Sequence, residues 1–139
     1  MAADPDCTFC AILAGDLDAE VVFEDEQTLA FLDHRPLFAG HVLLVTREHH
    51  ETIEDLPGEL VEPLFANAKR LAGAVREAMG AQGSFVALNN VVSQSVPHLH
   101  IHVVPRNRKD GLRGFFWPRN PYEGPEQMAE AAAAIRERL

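Results

Sequence analysis

The sequence predicts an α+β domain: a five-stranded antiparallel sheet with one long packing helix and a C-terminal helix. Three observations carry that expectation. His98-Leu99-His100-Ile101-His102-Val103 alternates polar and apolar residues at the period of a half-buried strand, which puts three imidazoles on one face. Leu60, Leu64, Ala68, Leu71, Val75 and Met79 recur at helical spacing. The remaining β-rich runs are short and separated by turn residues, as strands of an antiparallel sheet are.

Taken in order, Cys7-Thr8-Phe9-Cys10 leads into a helical turn over 11–15 that Gly15 ends. Residues 20–24 and 28–33, split by Asp25-Glu26-Gln27, read as a hairpin, and Pro36 forbids continuation of its second strand. A third strand over 41–45 follows the turn at Gly40. The long helix is expected over about 59–79, with Pro63 confined to its first turn and Gly80 closing it. Residues 84–90 form the fourth strand, and the histidine strand is the fifth. Residues 125–139 read as a helix, with Pro125 and Glu126 at its start, Arg136 and Arg138 at its end, and Met128, Ala132, Ile135 and Leu139 turned inward. No repeat or linker interrupts the chain, so residues 1–139 read as a single domain.

Composition narrows the function. At 139 residues the chain can close one core, and its 47% hydrophobic and 24% charged residues are the mix of a soluble globular protein. No apolar run approaches a membrane span and the N-terminus lacks a basic start, so a cytoplasmic protein is expected. A net charge of −9 argues against broad nucleic-acid binding. Arg106, Arg108, Lys109, Arg113 and Arg119 nevertheless cluster after the histidines, which suits a small anionic ligand or simply a solvated loop. Only two cysteines are present, Cys7 and Cys10, which leaves redox chemistry or metal binding. No strand precedes them in a βαβ pattern, so metal is favoured, and two thiolates then need two further ligands.

His98-Leu99-His100-Ile101-His102-Val103-Val104 has the form His-φ-His-φ-His-φ-φ, with φ apolar. On that motif the chain resembles the histidine triad (HIT) nucleotide hydrolases and transferases, in particular the bacterial type with an N-terminal Cys-x-x-Cys. The resemblance implies a structural zinc on Cys7, Cys10, His49 and His98, with His50 a less favoured substitute for His49. It implies that Asp33 accepts hydrogen bonds from ribose hydroxyls, for which an acceptor-only carboxylate is chemically suited. Phe9, Ile12 and Phe31 match positions of an apolar slot for the base, and His41 matches a fourth site histidine. Asn89, Gln94 and Ser95 match residues before the triad, although Ser93 replaces a glycine, the loop is shorter, and Asn90 competes with Asn89 for its role.

The chemistry that this resemblance implies is nucleotidyl transfer at an α-phosphate. His100 attacks phosphorus, His102 and His41 hold it in the right tautomer, Ser95 and Asn89 bind phosphate oxygens, and Gln94 meets the leaving group. No catalytic metal is required. The family's members usually pair as homodimers. Residues 111–119, aromatic and basic, would cover the nucleotide, meet a partner subunit, or simply plug the C-terminal end of the domain. The leading expectation is a purine nucleoside phosphoramidate hydrolase. The alternatives are a dinucleoside polyphosphate hydrolase using the same nucleophile, and a nucleotide-binding protein with little turnover.

Overall fold

The structure is a computed structural model and describes residues 3–112 and 119–139. Most of the aromatic, basic loop singled out above therefore lies outside the described residues. The chain divides into two compact units, Met1–Arg108 and Lys109–Leu139.

The first unit is built on five antiparallel strands: β1 (Val21–Glu24), β2 (Thr28–Leu32), β3 (Val42–Thr46), β4 (Gly83–Ala87) and β5 (His100–Arg106). They lie in the order β1-β2-β3-β5-β4, so the last strand in sequence is inserted beside β3. Alternation along each strand then gives the sheet two different faces. On one, Ala30, Val42, Leu44, Leu99, Ile101 and Val103 pack with Leu60, Leu64, Ala68, Leu71 and Val75 of helix α2 (Gly58–Ala78). On the other, Leu29, Phe31, Leu43 and Val45 pack with Cys7, Phe9 and Cys10 at the start of helix α1 (Thr8–Ala14). β3 is buried along its whole length because both layers rest on it.

α2 begins earlier than the proline argument predicts. Pro63 is the sixth residue of the helix rather than part of its first turn. Its missing N–H forfeits one bond, to the carbonyl of Glu59, while Leu60 and Leu64 on either side are both buried. Burial of that stripe outweighs the lost bond. At the other end Met79, expected inside, caps the helix and is 45% exposed. One polar residue, Asn67, sits within the buried stripe. Its amide donates to Asp25 at 2.8 Å and to Thr28 Oγ1 at 3.0 Å, pinning the β1–β2 turn to α2. Burial opposes ionisation of Asp25, but the hydrogen bonds from Asn67, Gln27 and Thr28 win and hold its carboxyl below the usual range.

Two further boundaries differ from expectation. β4 stops at Ala87, because Asn90 turns its side chain to accept from the Ile53 N–H at 2.9 Å and Val91 takes a positive φ of 68°. β5 starts at His100 rather than at His98, since the Leu99 N–H is donated to the His50 carbonyl at 2.7 Å and not to a neighbouring strand. The second unit contains α3 (Pro125–Arg136), which starts with Pro125 and Glu126 as predicted. Met128, Ile135 and Leu139, expected inside, are exposed; between them α3 offers mainly alanines, which make a shallow apolar stripe. No helix among the described residues is long and apolar enough to cross a membrane.

Candidate active site and metal centre

Strand register brings the predicted residues together. His100 lies opposite Val45 and His102 opposite Leu43 on β3, while Leu43 in turn faces Phe31 on β2. Just past those strand ends, the Asp33 N–H donates to the His41 carbonyl at 2.9 Å and continues the same pairing. His41, His100, His102, Asp33 and Phe31 therefore share one face. On the other side of β5, Ala87 faces His102. Asn90 is tied to Ile53, and Asn89 lies two residues past the end of β4. That commits the Asn90 side chain to the segment after β3.

Hydrogen bonds assign a tautomer to each ring. The Leu37 N–H donates to His41 Nδ1 at 3.0 Å, so the proton of neutral His41 is on Nε2. That proton is donated to His102 Nδ1, 3.0 Å away, which places the His102 proton on Nε2. His100 donates its Nδ1–H to the His98 carbonyl at 2.7 Å. The lone pair of His100 is consequently on Nε2. Burial lowers the pKa of His41 and of His100, and with neighbouring imidazoles pushes His102 down to about 4, so the rings are neutral at pH 7. The arrangement supplies one in-plane nucleophilic nitrogen beside one N–H donor, both built from uncharged rings.

His98 belongs to a second cluster. Its Nε2–H is donated to the Thr46 carbonyl at 2.7 Å, which turns the Nδ1 lone pair toward Cys7 Sγ at 3.4 Å, Cys10 Sγ at 3.6 Å and His49 Nδ1 at 3.2 Å. Cys10 Sγ and His49 Nδ1 are 3.3 Å apart. A tetrahedral ion held at about 2.3 Å by sulfur and about 2.0 Å by nitrogen needs N···N edges of about 3.3 Å and S···N edges of about 3.5 Å. The four buried side chains thus already have the dimensions of a metal site. Supporting contacts agree: the Cys10 N–H points to Cys7 Sγ and the Asp4 N–H to Cys10 Sγ, each at 3.4 Å. Burial, helped by the neighbouring Cys10, pushes the Cys7 thiol up, a cost that a bound cation would reverse.

His50, the competing ligand, points elsewhere, with Nε2 3.1 Å from a Glu48 carboxylate oxygen. A different grouping, Asp33, His41 and His102, also gathers its ligand atoms within 4.8 Å. Both nitrogens of His41 are already committed there, to Leu37 and His102.

Beside Asp33 a cleft of about 400 Å³ is lined by Ile12, Ala19, Phe31 and Leu32, with Asp18, Glu20 and His34 completing it. Ile12, Phe31 and Asp33 therefore meet in one place. Phe9 is not in the lining; it is buried beneath, edge-on to Phe31 and to His100. Gln94 folds back on its own loop, accepting from the Val91 N–H at 3.1 Å and donating to the Glu51 carbonyl at 2.6 Å. Ser95 is exposed just before Val96. The groups that sequence reasoning missed are backbone ones, the Leu37 N–H and the Thr46 carbonyl, and no side-chain pattern announces them. Asp4 is a further partner, 3.9 Å from His49 Nε2.

Comparison with known proteins matches the HIT domain family model to residues 14–109. A HIT family protein from Bacillus subtilis has a solved structure similar to this one at a TM-score of 0.88, with 34% identity covering 96% of this chain and 97% of that one. A Zn-bound histidine triad family protein from Mycobacterium smegmatis is similar at a TM-score of 0.73, with 36% identity covering 93% and 97% of the two chains. The adenosine 5'-monophosphoramidase hnt1 of Schizosaccharomyces pombe is 30% identical over 135 residues, covering 96% of this chain and 98% of that one.

The loop leading to the triad holds stored strain. Val91 and Ser93 have φ of 68° and 64°, a region that a β-branched residue adopts only at a cost. Val91 is also 74% exposed, so packing does not repay that cost. Val91→Gly should therefore raise the unfolding free energy by about 1 kcal/mol after the entropy of glycine is subtracted, read as a higher urea midpoint at unchanged slope. A lowered midpoint would contradict the assigned backbone.

Proposed function

The chain belongs to the histidine triad family, and we propose that it is a nucleotide hydrolase that cleaves purine nucleoside phosphoramidates through a nucleotidyl-histidine intermediate. The observation that carries this reading is the tautomer of His100: with its Nδ1–H given to the His98 carbonyl, the Nε2 lone pair is the one available to a substrate. Similarity to an adenosine 5'-monophosphoramidase over nearly the whole of both chains supports the choice of bond.

In this reading the nucleoside lies across the sheet. The base enters the apolar cleft between Ile12 and Phe31, and Asp33 accepts from the ribose diol. The α-phosphate then stands over β5. His100 Nε2 forms a bond to phosphorus as the P–N bond breaks, and the amine departs. His102 Nε2–H, held in place by His41, donates a hydrogen bond to the charge that develops, as do Asn89 and Ser95 in the loop alongside. Water then attacks phosphorus and releases His100. Over the whole cycle one water supplies the hydroxyl to phosphorus and the proton to the amine.

Zinc is the ion we assign to Cys7, Cys10, His49 and His98, on the donor set and on the similarity to a Zn-bound family member. When bound it would tie the start of α1, the segment after β3 and the start of β5 together; its chemistry is structural.

Three outcomes are expected. His100→Ala should lower AMP release from an adenosine phosphoramidate by roughly 10³-fold or more with the fold retained, and faster turnover of diadenosine polyphosphates by the unmutated protein would overturn the choice of substrate. Metal analysis of the purified protein should find a single zinc per chain, lost together with thermal stability in the Cys7→Ser, Cys10→Ser double variant; a stable metal-free protein would refute the assignment. The relay rings His41 and His102 have pKa values below 6.5, His102 at about 4. Their neutral form is thus complete above the ordinary histidine range and is lost only as pH falls beneath it. The acid limb of kcat/KM should accordingly lie below pH 6.5, and a midpoint at or above that value would count against the relay.

A further inference from the structure

We propose that Phe9 is a positioning residue for His100, carried on the Cys7–Cys10 turn so that metal held by Cys7, Cys10, His49 and His98 fixes the orientation of the nucleophilic ring. The proposal rests on the reading of His100 as nucleophile. Phe9 is only 5% exposed and sits among three rings: its centroid is 5.0 Å from that of His100 at 84°, 5.5 Å from Phe31 at 69° and 5.9 Å from His98 at 72°. All are edge-to-face arrangements, which are directional.

Three contacts act on the His100 ring: the His98 carbonyl, Phe9, and the His102 ring, whose centroid is 4.9 Å away at 63°; the first two lead back to the cluster. The first is the hydrogen bond to the His98 carbonyl, which fixes one ring nitrogen but leaves the ring free to tilt about that bond. Its acceptor belongs to a residue whose own ring is a ligand. The second is the contact with Phe9, which together with the His102 ring limits the tilt. Phe9 lies between Cys7, the residue capping α1, and Cys10. At 7 residues α1 is too short to hold its place by its own hydrogen bonds, so its tertiary anchors set where it sits. Those anchors are the two cysteine sulfurs and the Phe9 side chain, with Ile12 and Leu13 packed partly buried beside them. An ion that draws Cys7 and Cys10 onto His49 and His98 thereby presses Phe9 against His100, and its loss slackens both restraints together.

Two arms test this on the full-length protein. In the zinc-loaded protein, Phe9→Leu keeps an apolar side chain at that position but removes the ring. We expect kcat to fall roughly tenfold with KM within about twofold, the signature of a misplaced nucleophile rather than of weakened binding. A rise in KM at unchanged kcat would make Phe9 a base-slot residue and overturn the proposal. In the second arm, chelator-stripped wild type with ¹⁵N-labelled histidine is titrated with zinc alone, with the fold followed by circular dichroism. The solvent exchange of the His100 Nδ1–H should slow until one equivalent is bound, and should stay fast in Phe9→Leu. Exchange that ignores zinc in a folded protein would also overturn it. Because the second arm needs no turnover, a wrong substrate would not be mistaken for a missing coupling.

Discussion

The short hydrogen bond from His100 Nδ1–H to the carbonyl of His98 is the interaction on which the rest depends. An imidazole has two nitrogens that exchange roles, and a nucleophile requires the reactive one to be unprotonated and aimed. A backbone carbonyl two residues upstream settles that without a carboxylate. A buried anion beside the ring would carry a desolvation cost of its own; the neutral acceptor does not, and its upward pull on the His100 pKa is outweighed by burial. The same logic runs through the neighbouring rings, where the Leu37 N–H sets His41 and His41 sets His102.

The triad histidines are therefore divided between two side-chain clusters. His98, outside the ladder, is turned by Thr46 toward the thiols, whereas His100 and His102 stay within β5 on the face that α1 covers. Insertion of β5 between β3 and β4 makes this possible, because it puts the histidine row in the middle of the sheet with α2 filling the opposite face. Leu99, Ile101 and Val103, all at most 1% exposed, lock the register from below. A slip of one residue would exchange them with the histidines, so the core's hydrophobic energy holds the site's geometry.

Much of this was legible in the residues. The period of two in the triad, the helical stripe of α2 and the hairpin of β1 and β2 are local patterns that tertiary packing reinforces. The pairing of Cys7 and Cys10 with His49 and His98 came from family resemblance, since nothing in the spacing alone brings chain segments so far apart into one tetrahedron. The bounds of α2 agree with its apolar spacing to within a residue, but Pro63 lies beyond the first turn because burial of Leu60 and Leu64 outweighs the bond it lacks. The inward face assigned to α3 failed for the opposite reason, a weak stripe read as a strong one. The relay was invisible, because its deciding donors and acceptors are backbone groups, which every residue carries. Positive φ at Val91 and Ser93 was likewise hidden, as neither residue type advertises that conformation.

The central claim is about where protons sit, and it can be read directly. Two-bond ¹H–¹⁵N spectra of the histidine rings at pH 7 distinguish the Nδ1–H from the Nε2–H tautomer for each residue. The account predicts Nδ1–H for His100 and Nε2–H for His98, His102 and His41, all neutral. A neutral His100 protonated on Nε2 would contradict it, since the lone pair would then be turned into the protein and away from any substrate.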